Sequence, residues 1–376
     1  MNMAKDRPEI QRVVFICAYL DGGIGRNIVR LTNYYLSLGL QVSVWVGDLS
    51  RGYKDEIEDQ NAIVELKTTH QFTGVFETVR LINRFKPDAI IIANERLGRL
   101  CYNACKLSTS KPLLIPQVHN IHSQEYLPLS QKKREKRIAR MAKLYPKLDG
   151  IIAVSKAAAT DLSEITGIAF QKIDYILNPV FDKNLEQKLA EYNERIEFKK
   201  PTIITVGHIV EQKNMTFLID SFDIVRKEKD CQLVIIGDGP EGDAVRRRAD
   251  ESVFSQDITM LGHKNNPFPY ISASQVFAMS SSFEGFGNVV VEALASGTPV
   301  VSTPCGGPEE ILLEDFLGEV VSTFDPACYA KALLSWLDKS TDRNKLKQYA
   351  AEHFSVPVIG DQYLRYISSL NDKRTA

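Results

Sequence analysis

The chain has 376 residues, 44% of them hydrophobic and 25% charged, and 46 Lys and Arg stand against 47 Asp and Glu for a net charge of −1. That length predicts two or three domains with a sizeable core, so no disulfide framework is needed. The near-zero balance argues against a whole-chain nucleic-acid binder.

Short apolar runs at residues 13–18, 42–46, 89–93, 113–118 and 151–154 are near-continuous rather than alternating. They read as strands buried on both faces. Helical patterns such as 27–38 and 73–85 lie between them, which predicts βαβ units around a parallel sheet. The rhythm breaks at the turn signal Asn178-Pro179 and through the polar stretch 183–200, which ends at Pro201. It restarts at 203–206, 233–236, 258–261, 276–279, 299–302 and 320–321. The expected class is α/β with two doubly wound lobes. Residues 1–180 form the first, 181–200 a linker, 201–355 the second, and 356–376 a C-terminal helix that crosses back to the first. Such lobes bind ligands at the carboxyl ends of their strands.

The six cysteines, at 17, 101, 105, 231, 305 and 328, include no C-x-x-C pair and are read as reduced cytosolic thiols. The apolar run 13–20 is too short to span a bilayer. Asp6, Arg7 and Glu9 precede it without a signal-peptide layout. The expected location is cytoplasmic, with peripheral attachment to the inner face of a membrane.

Charge is shared unevenly. Residues 1–180 carry 25 Lys and Arg against 18 Asp and Glu, and the remainder carries 21 against 29. A basic first lobe should meet something anionic. Its densest stretch, 131–148, holds Lys132, Lys133, Arg134, Lys136, Arg137 and Arg140 beside the single acid Glu135. Ile138, Met141, Ala142 and Tyr145 fall on one helical face. This helix can pack inward and still present charge to an anionic membrane or an acceptor. No aromatic platform is interleaved with the charge, so nucleic acid is not the expected partner.

Two glycine loops compete as ligand sites. Asp21-Gly22-Gly23-Ile24-Gly25-Arg26 follows the first strand, and Asp48 ends the second, as in a dinucleotide domain. The third glycine of that fingerprint is replaced by Ile28. An NAD-dependent oxidoreductase is therefore one alternative, and a tight packing turn is another. The second lobe is more specific. Glu284-Gly285-Phe286-Gly287-Asn288-Val289 follows a strand and opens a helix that carries Glu292 on the face of Asn288. Glycine amides and a helix dipole can hold a diphosphate there, with the two carboxylates on a sugar hydroxyl and a ribose. Gly207, His208 and Lys213 sit in the loop after the lobe's first strand, and Gly237–Pro240 and Gly262-His263-Lys264 mark two further strand ends.

The run from Glu284 to Glu292, continuing Ala-Leu-Ala-Ser-Gly-Thr-Pro-Val-Val, resembles the E-x7-E signature of the family 4 retaining glycosyltransferases. The segment 206–214 is similar to that family's G-R-L-x-x-x-K-N. The resemblance implies the GT-B fold, two Rossmann-like lobes facing a cleft that closes on the donor. It also implies sugar transfer from a UDP- or GDP-sugar to a glycan or lipid-linked acceptor in surface polysaccharide synthesis. By it, Glu284 contacts donor sugar hydroxyls, the amides around Gly287–Val289 hold sugar and phosphate, and Glu292 binds the ribose. Lys213 stabilises the departing diphosphate, the Lys264 backbone flanks the base, and His119 sits over the reacting sugar. Gly22, Gly23 and Gly25 approach phosphates or acceptor. No D-x-D triplet occurs, so neither a metal nor another cofactor is expected.

One departure stands out. The family usually places Arg where this chain has His208, which loses a permanent charge, since imidazole ordinarily titrates at about 6.5. Arg26 is the candidate cation to help in its place. A non-catalytic nucleotide- or glycan-binding pseudoenzyme is the alternative this departure raises, and a nucleotide-sugar epimerase is a further one.

Overall fold

In the computed structural model, which describes residues 10–70, 72–191 and 196–375, the chain forms two units. One contains the residues up to Pro179 and those from Val356 onward, and the other is Val180–Ser355.

The first unit opens with β1 (Arg12–Leu20), α1 (Gly22–Ser37), β2 (Gln41–Gly52), β3 (Ile63–Glu65), α2 (Val75–Phe85), β4 (Ala89–Ile92) and α3 (Glu95–Leu107). It continues through β5 (Leu113–Val118), α4 (His122–Glu125), α5 (Gln131–Leu144), β6 (Ile152–Ala153), α6 (Lys156–Thr166) and β7 (Asp174–Tyr175). All strand pairs are parallel, in the order β3-β2-β1-β4-β5-β6-β7. The order reverses between β1 and β4, so right-handed crossovers place α1 on one face and α2, α3, α5 and α6 on the other. β1 shows why its sequence is apolar throughout. Val13, Phe15 and Cys17 face the core shared with α1, and Val14 and Ile16 face the core shared with α2 and α3.

The second unit comprises α7 (Lys183–Ala190), β8 (Thr202–Val206), α8 (Met215–Glu228), β9 (Gln232–Ile236), α9 (Gly242–Asp250), β10 (Ile258–Met260) and α10 (Phe268–Ala273). After these come β11 (Val276–Met279), α11 (Asn288–Ala295), β12 (Val300–Ser302), β13 (Gly318–Val320), α12 (Pro326–Asp338) and α13 (Arg343–Phe354). Its strands are parallel in the order β10-β9-β8-β11-β12-β13, with the reversal between β8 and β11. Phe222 on α8 and Tyr329, Leu333 and Trp336 on α12 close its main core over Ile203 and Leu233.

The last helix, α14 (Val356–Thr375), belongs to the first unit. Tyr35 Oη donates to the Gly360 carbonyl at 3.0 Å and Tyr34 Oη to Asp361 at 2.7 Å. Gly360 is small for a reason: a Cβ there would lie 2.5 Å from the Tyr34 ring.

Four boundaries differ from the sequence reading. The stretch read as the linker 181–200 contains α7, capped by Asp182 accepting from Leu185 N at 2.7 Å, and it lies in the second unit; its residues 192–195 are outside the described residues. α1 begins at Gly22, five residues before the expected start, because the glycines that lower helix propensity lie inside its first turns. β2 runs on to Gly52, so Asp48 lies within the strand. α5 stops at Leu144 rather than 148, where Pro146, lacking an N–H, passes into a short 3₁₀ turn.

Candidate functional site

The second unit gathers its candidate residues at the carboxyl ends of β8, β9, β10 and β11. After β8, the loop from Gly207 tightens into a 3₁₀ turn, Glu211–Lys213, and Asn214 adopts a left-handed conformation (φ 47°) before α8 begins. This loop is stitched to the one after β11. Ser282 N donates to the Gln212 carbonyl at 2.8 Å, Gln212 Nε2 to the Phe283 carbonyl at 2.7 Å, and Ser280 Oγ to the Lys213 carbonyl at 2.8 Å. The two backbones therefore hold Lys213 opposite Glu284.

Lys213 Nζ and Glu284 Oε1 form an ion pair, and Ser281 Oγ donates to the same oxygen at 2.8 Å. Glu284 is 8% exposed. Its backbone is clamped as well, since its N–H donates to the Cys305 carbonyl at 2.6 Å and its own carbonyl accepts from Gly307 N at 3.1 Å. Burial, helped by Glu284, pushes the Cys305 thiol up to about 12, so it is neutral and no nucleophile.

Gly287, at φ 91°, caps α11. Its positive φ is one that glycine alone adopts easily, and it turns the chain so that the first amides of α11 are presented at the strand ends. Asn288 and Val289 are half-buried in that first turn, Glu292 is half-buried one turn on, and Gly285 is buried. Phe286 turns its side chain inward. Its ring is buried against Phe354 at a centroid distance of 6.0 Å, so only its backbone can meet a ligand.

Asp238 joins three of the loops. Its carbonyl accepts from His208 Nδ1 at 2.6 Å and Ile209 N at 2.8 Å, while its carboxylate accepts from His263 N at 3.1 Å. A carbonyl only accepts, so the proton of His208 sits on Nδ1 and Nε2 is the remaining valence of this exposed ring. Lys264, next to His263, is half-buried. A cavity of about 380 Å³ opens here, lined by Ile209, Gly237, Asp238, Gly239, Arg246 and Gly262 among others. A Cβ on Gly237 would lie 1.8 Å from the Gly207 carbonyl oxygen, so the β8 and β9 loops meet only because residue 237 lacks a side chain. Asp238 and Ser281 were not singled out from the sequence. Asp238 lies in an ordinary-looking Gly-Asp-Gly-Pro turn, and Ser281 carries no pattern of its own.

In the first unit the candidates divide. His119 follows β5, and its Nε2 is enclosed with no hydrogen-bond partner among the described residues. Burial, with a smaller effect of His122, pushes its pKa down to about 3, so the imidazole is neutral. Gly25 is explained by packing: a Cβ there would lie 2.3 Å from the backbone carbon of Leu20. Gly22 begins α1 at φ 60°, and Gly23 is exposed in its first turn. Arg26 does not stand ready for a diphosphate. Its guanidinium lies 3.3 Å from Glu56 and 4.0 Å above the Tyr53 ring. At Gly25 the first glycine loop is thus a helix–strand contact.

On α5, Met141 and Leu144 turn into the core with Tyr126 and Ile151, and Lys132, Lys133, Lys136 and Arg140 are exposed. Arg134 and Arg137 are half-buried. Arg134 Nη2 donates to the Leu127 carbonyl at 3.2 Å, and Arg137 lies over the Tyr126 ring, 3.7 Å from Glu95.

Residues 188–353 match the family model for glycosyl transferases group 1, and residues 21–182 match that for glycosyltransferase family 4. The chain belongs to the family 4 glycosyltransferases. This glycosyltransferase is 31% identical over 228 residues to the N-acetylgalactosamine-N,N'-diacetylbacillosaminyl-diphospho-undecaprenol 4-alpha-N-acetylgalactosaminyltransferase of Campylobacter jejuni, covering 60% of this chain and 61% of the relative. It is 32% identical over 173 residues to the lipopolysaccharide core biosynthesis glycosyltransferase LpsE of Rhizobium meliloti, covering 45% and 50%. The chain thus spans between 50% and 61% of the length of these curated relatives. Among solved structures it is similar to Anabaena HepE in complex with UDP and glucose, with TM-score 0.75 and 18% identity over 96% of this chain and 100% of that one. It is also similar to a glycosyltransferase from Rickettsia africae, with TM-score 0.77 and 16% identity over 96% and 99%. At these identities the likeness is one of fold, and the fold is GT-B.

Proposed function

We propose that this glycosyltransferase moves a sugar from a nucleotide diphosphate donor to a glycan or lipid-linked acceptor, with retention, in the synthesis of a surface polysaccharide. The observation that carries the reading is the Lys213–Glu284 pair, held between two stitched loops beside the glycine-capped start of α11. Nothing in a purely structural loop requires a buried carboxylate opposite an ammonium with a helix N-terminus beside them. A donor supplies partners for all three. Its sugar hydroxyls take up the Glu284 carboxylate, its diphosphate takes up Lys213, and the α11 amides meet the charge that grows as the anomeric bond breaks.

In the proposed step the acceptor oxygen bonds to the anomeric carbon while the bond to the diphosphate oxygen breaks. The acceptor proton passes to the departing diphosphate, on the same face of the sugar. His119, being neutral, serves as a hydrogen-bonding group and not as a cation. Glu292 is assigned to the ribose, and the amides of Gly287–Val289 to the sugar and phosphate. The complexes of HepE with UDP and with UDP-glucose support a nucleotide-sugar donor. The diphospho-undecaprenol acceptor in the name of the Campylobacter relative supports a lipid-linked one.

Release of nucleotide diphosphate tests the reading. Glu284→Gln and Lys213→Ala should each lower the turnover by about tenfold or more, with circular dichroism unchanged. Near-wild-type rates in both variants would defeat it. A thermal-shift screen of UDP- and GDP-sugars identifies the donor, since a bound donor stabilises by mass action.

A further inference from the structure

Ser281 sits two residues past β11 and is 1% exposed. Nearby serines direct their hydroxyls at backbone. Ser280 donates to the Lys213 carbonyl, Ser296 to that of Glu292 and Ser302 to that of Thr303. Ser281 instead donates to the Glu284 carboxylate, 2.8 Å from Oε1. Both ends of this bond are fixed by the loop after β12. Thr303 Oγ1 donates to the Ser281 carbonyl at 2.6 Å, and the Glu284 backbone is bonded to the Cys305 carbonyl and the Gly307 amide. Backbone contacts thus set the hydroxyl against the carboxylate, whatever the Lys213 side chain does.

Lys213 and Ser281 converge on one oxygen of Glu284, and neither is on Oε2. The two partners of the ion pair are not equally enclosed. The Lys213 side chain is 23% exposed and the Glu284 side chain 11%, so the ammonium is the group a ligand reaches first. It also rides on a flexible four-carbon stem, whereas the carboxylate is held through its own backbone. A diphosphate that takes the ammonium takes it from Glu284. A buried carboxylate left without a donor is costly, and a second donor already in place offsets that cost.

We propose that Ser281 is a positioning residue of the donor site: it holds Glu284 Oε1 while a nucleoside diphosphate draws Lys213 away, and so leaves Oε2 to the donor sugar. In the unliganded chain the Lys213–Glu284 pair then competes with the diphosphate, and Ser281 lowers the cost of breaking it. This role rests on the donor reading given above and adds to it a residue that touches no part of the donor.

Calorimetric titration of UDP and of GDP into the full chain and its variants tests it. Neither probe carries a sugar, so the contacts to the diphosphate are read without those to Oε2. With whichever nucleotide binds wild type, Ser281→Ala should weaken binding by about tenfold, because the departing ammonium leaves Glu284 unmet. Ser281→Thr keeps the hydroxyl and should bind within about twofold of wild type. Glu284→Ala should bind several-fold more tightly than wild type, since nothing then holds Lys213 back. Adding Ser281→Ala to Glu284→Ala should change the affinity by no more than about twofold. A loop merely damaged by the loss of Ser281 would lose affinity in both backgrounds, so an equal loss on Glu284→Ala overturns the proposal. So does wild-type affinity in Ser281→Ala, a folded Ser281→Thr as weak as Ser281→Ala, or a Glu284→Ala variant that binds no more tightly than wild type. Melting temperatures, taken on every variant, separate a folding defect from a lost contact. Wild type that binds neither UDP nor GDP defeats the donor reading itself, and this role with it.

Discussion

Lys213 and Glu284 lie 71 residues apart in sequence and share one ion pair. Removing either partner leaves the other half-sheltered with its charge unmet, which costs more than removing both. In a double-mutant cycle, Lys213→Ala alone should destabilise by about 1–3 kcal/mol. Combining it with Glu284→Ala should recover about 1 kcal/mol or more of the summed loss, read by urea denaturation. Strict additivity would mean that the pair contributes nothing to the fold. His119 makes a prediction about pH. Its folded pKa, about 3, is below the ordinary value, so the unfolded chain takes up the proton first as pH falls. The stability it contributes is full above about 6.5 and declines from there toward 3. His119→Asn should flatten the fall in melting temperature between neutral and acidic pH, and an unchanged slope would contradict the buried, neutral assignment.

Packing between elements explains Gly25. Gly25 lets α1 lie against the end of β1, so Gly25→Ala forces a methyl group onto the Leu20 backbone. It should cost about 1–3 kcal/mol in equilibrium unfolding with no change in donor affinity once folded. Weakened donor binding in a fully folded variant would restore a ligand role to that loop. The same contrast shows what was readable in advance. The strands were legible because β1 and its neighbours are buried on both faces, and burial on both faces leaves an unbroken apolar run. The constellation from Glu284 to Glu292 was legible because it is local, a loop and one helical turn. The positions of Arg26 and Asp238 were not, because each is set by a partner elsewhere. Glu56 lies 30 residues from Arg26, and His263 lies 25 from Asp238. α7 was missed for a different reason: only Leu185 is buried in it, so its apolar periodicity is too sparse to separate from a polar linker.

At the scale of the whole molecule, two properties divide between the units. The first carries the excess of basic residues; the second carries the acidic excess and the glycine-bearing strand-end loops. Donor binding should therefore depend on Lys213 and on the α11 amides. The central claim is that the strand-end loops of the second unit grip a nucleotide diphosphate. Calorimetric titration of UDP and of GDP into the full chain, repeated on Lys213→Ala, tests it most directly. One of the two nucleotides should saturate a single site per chain, and the variant should bind it about tenfold or more weakly. No heat from either nucleotide, or equal affinity in the variant, would contradict the account.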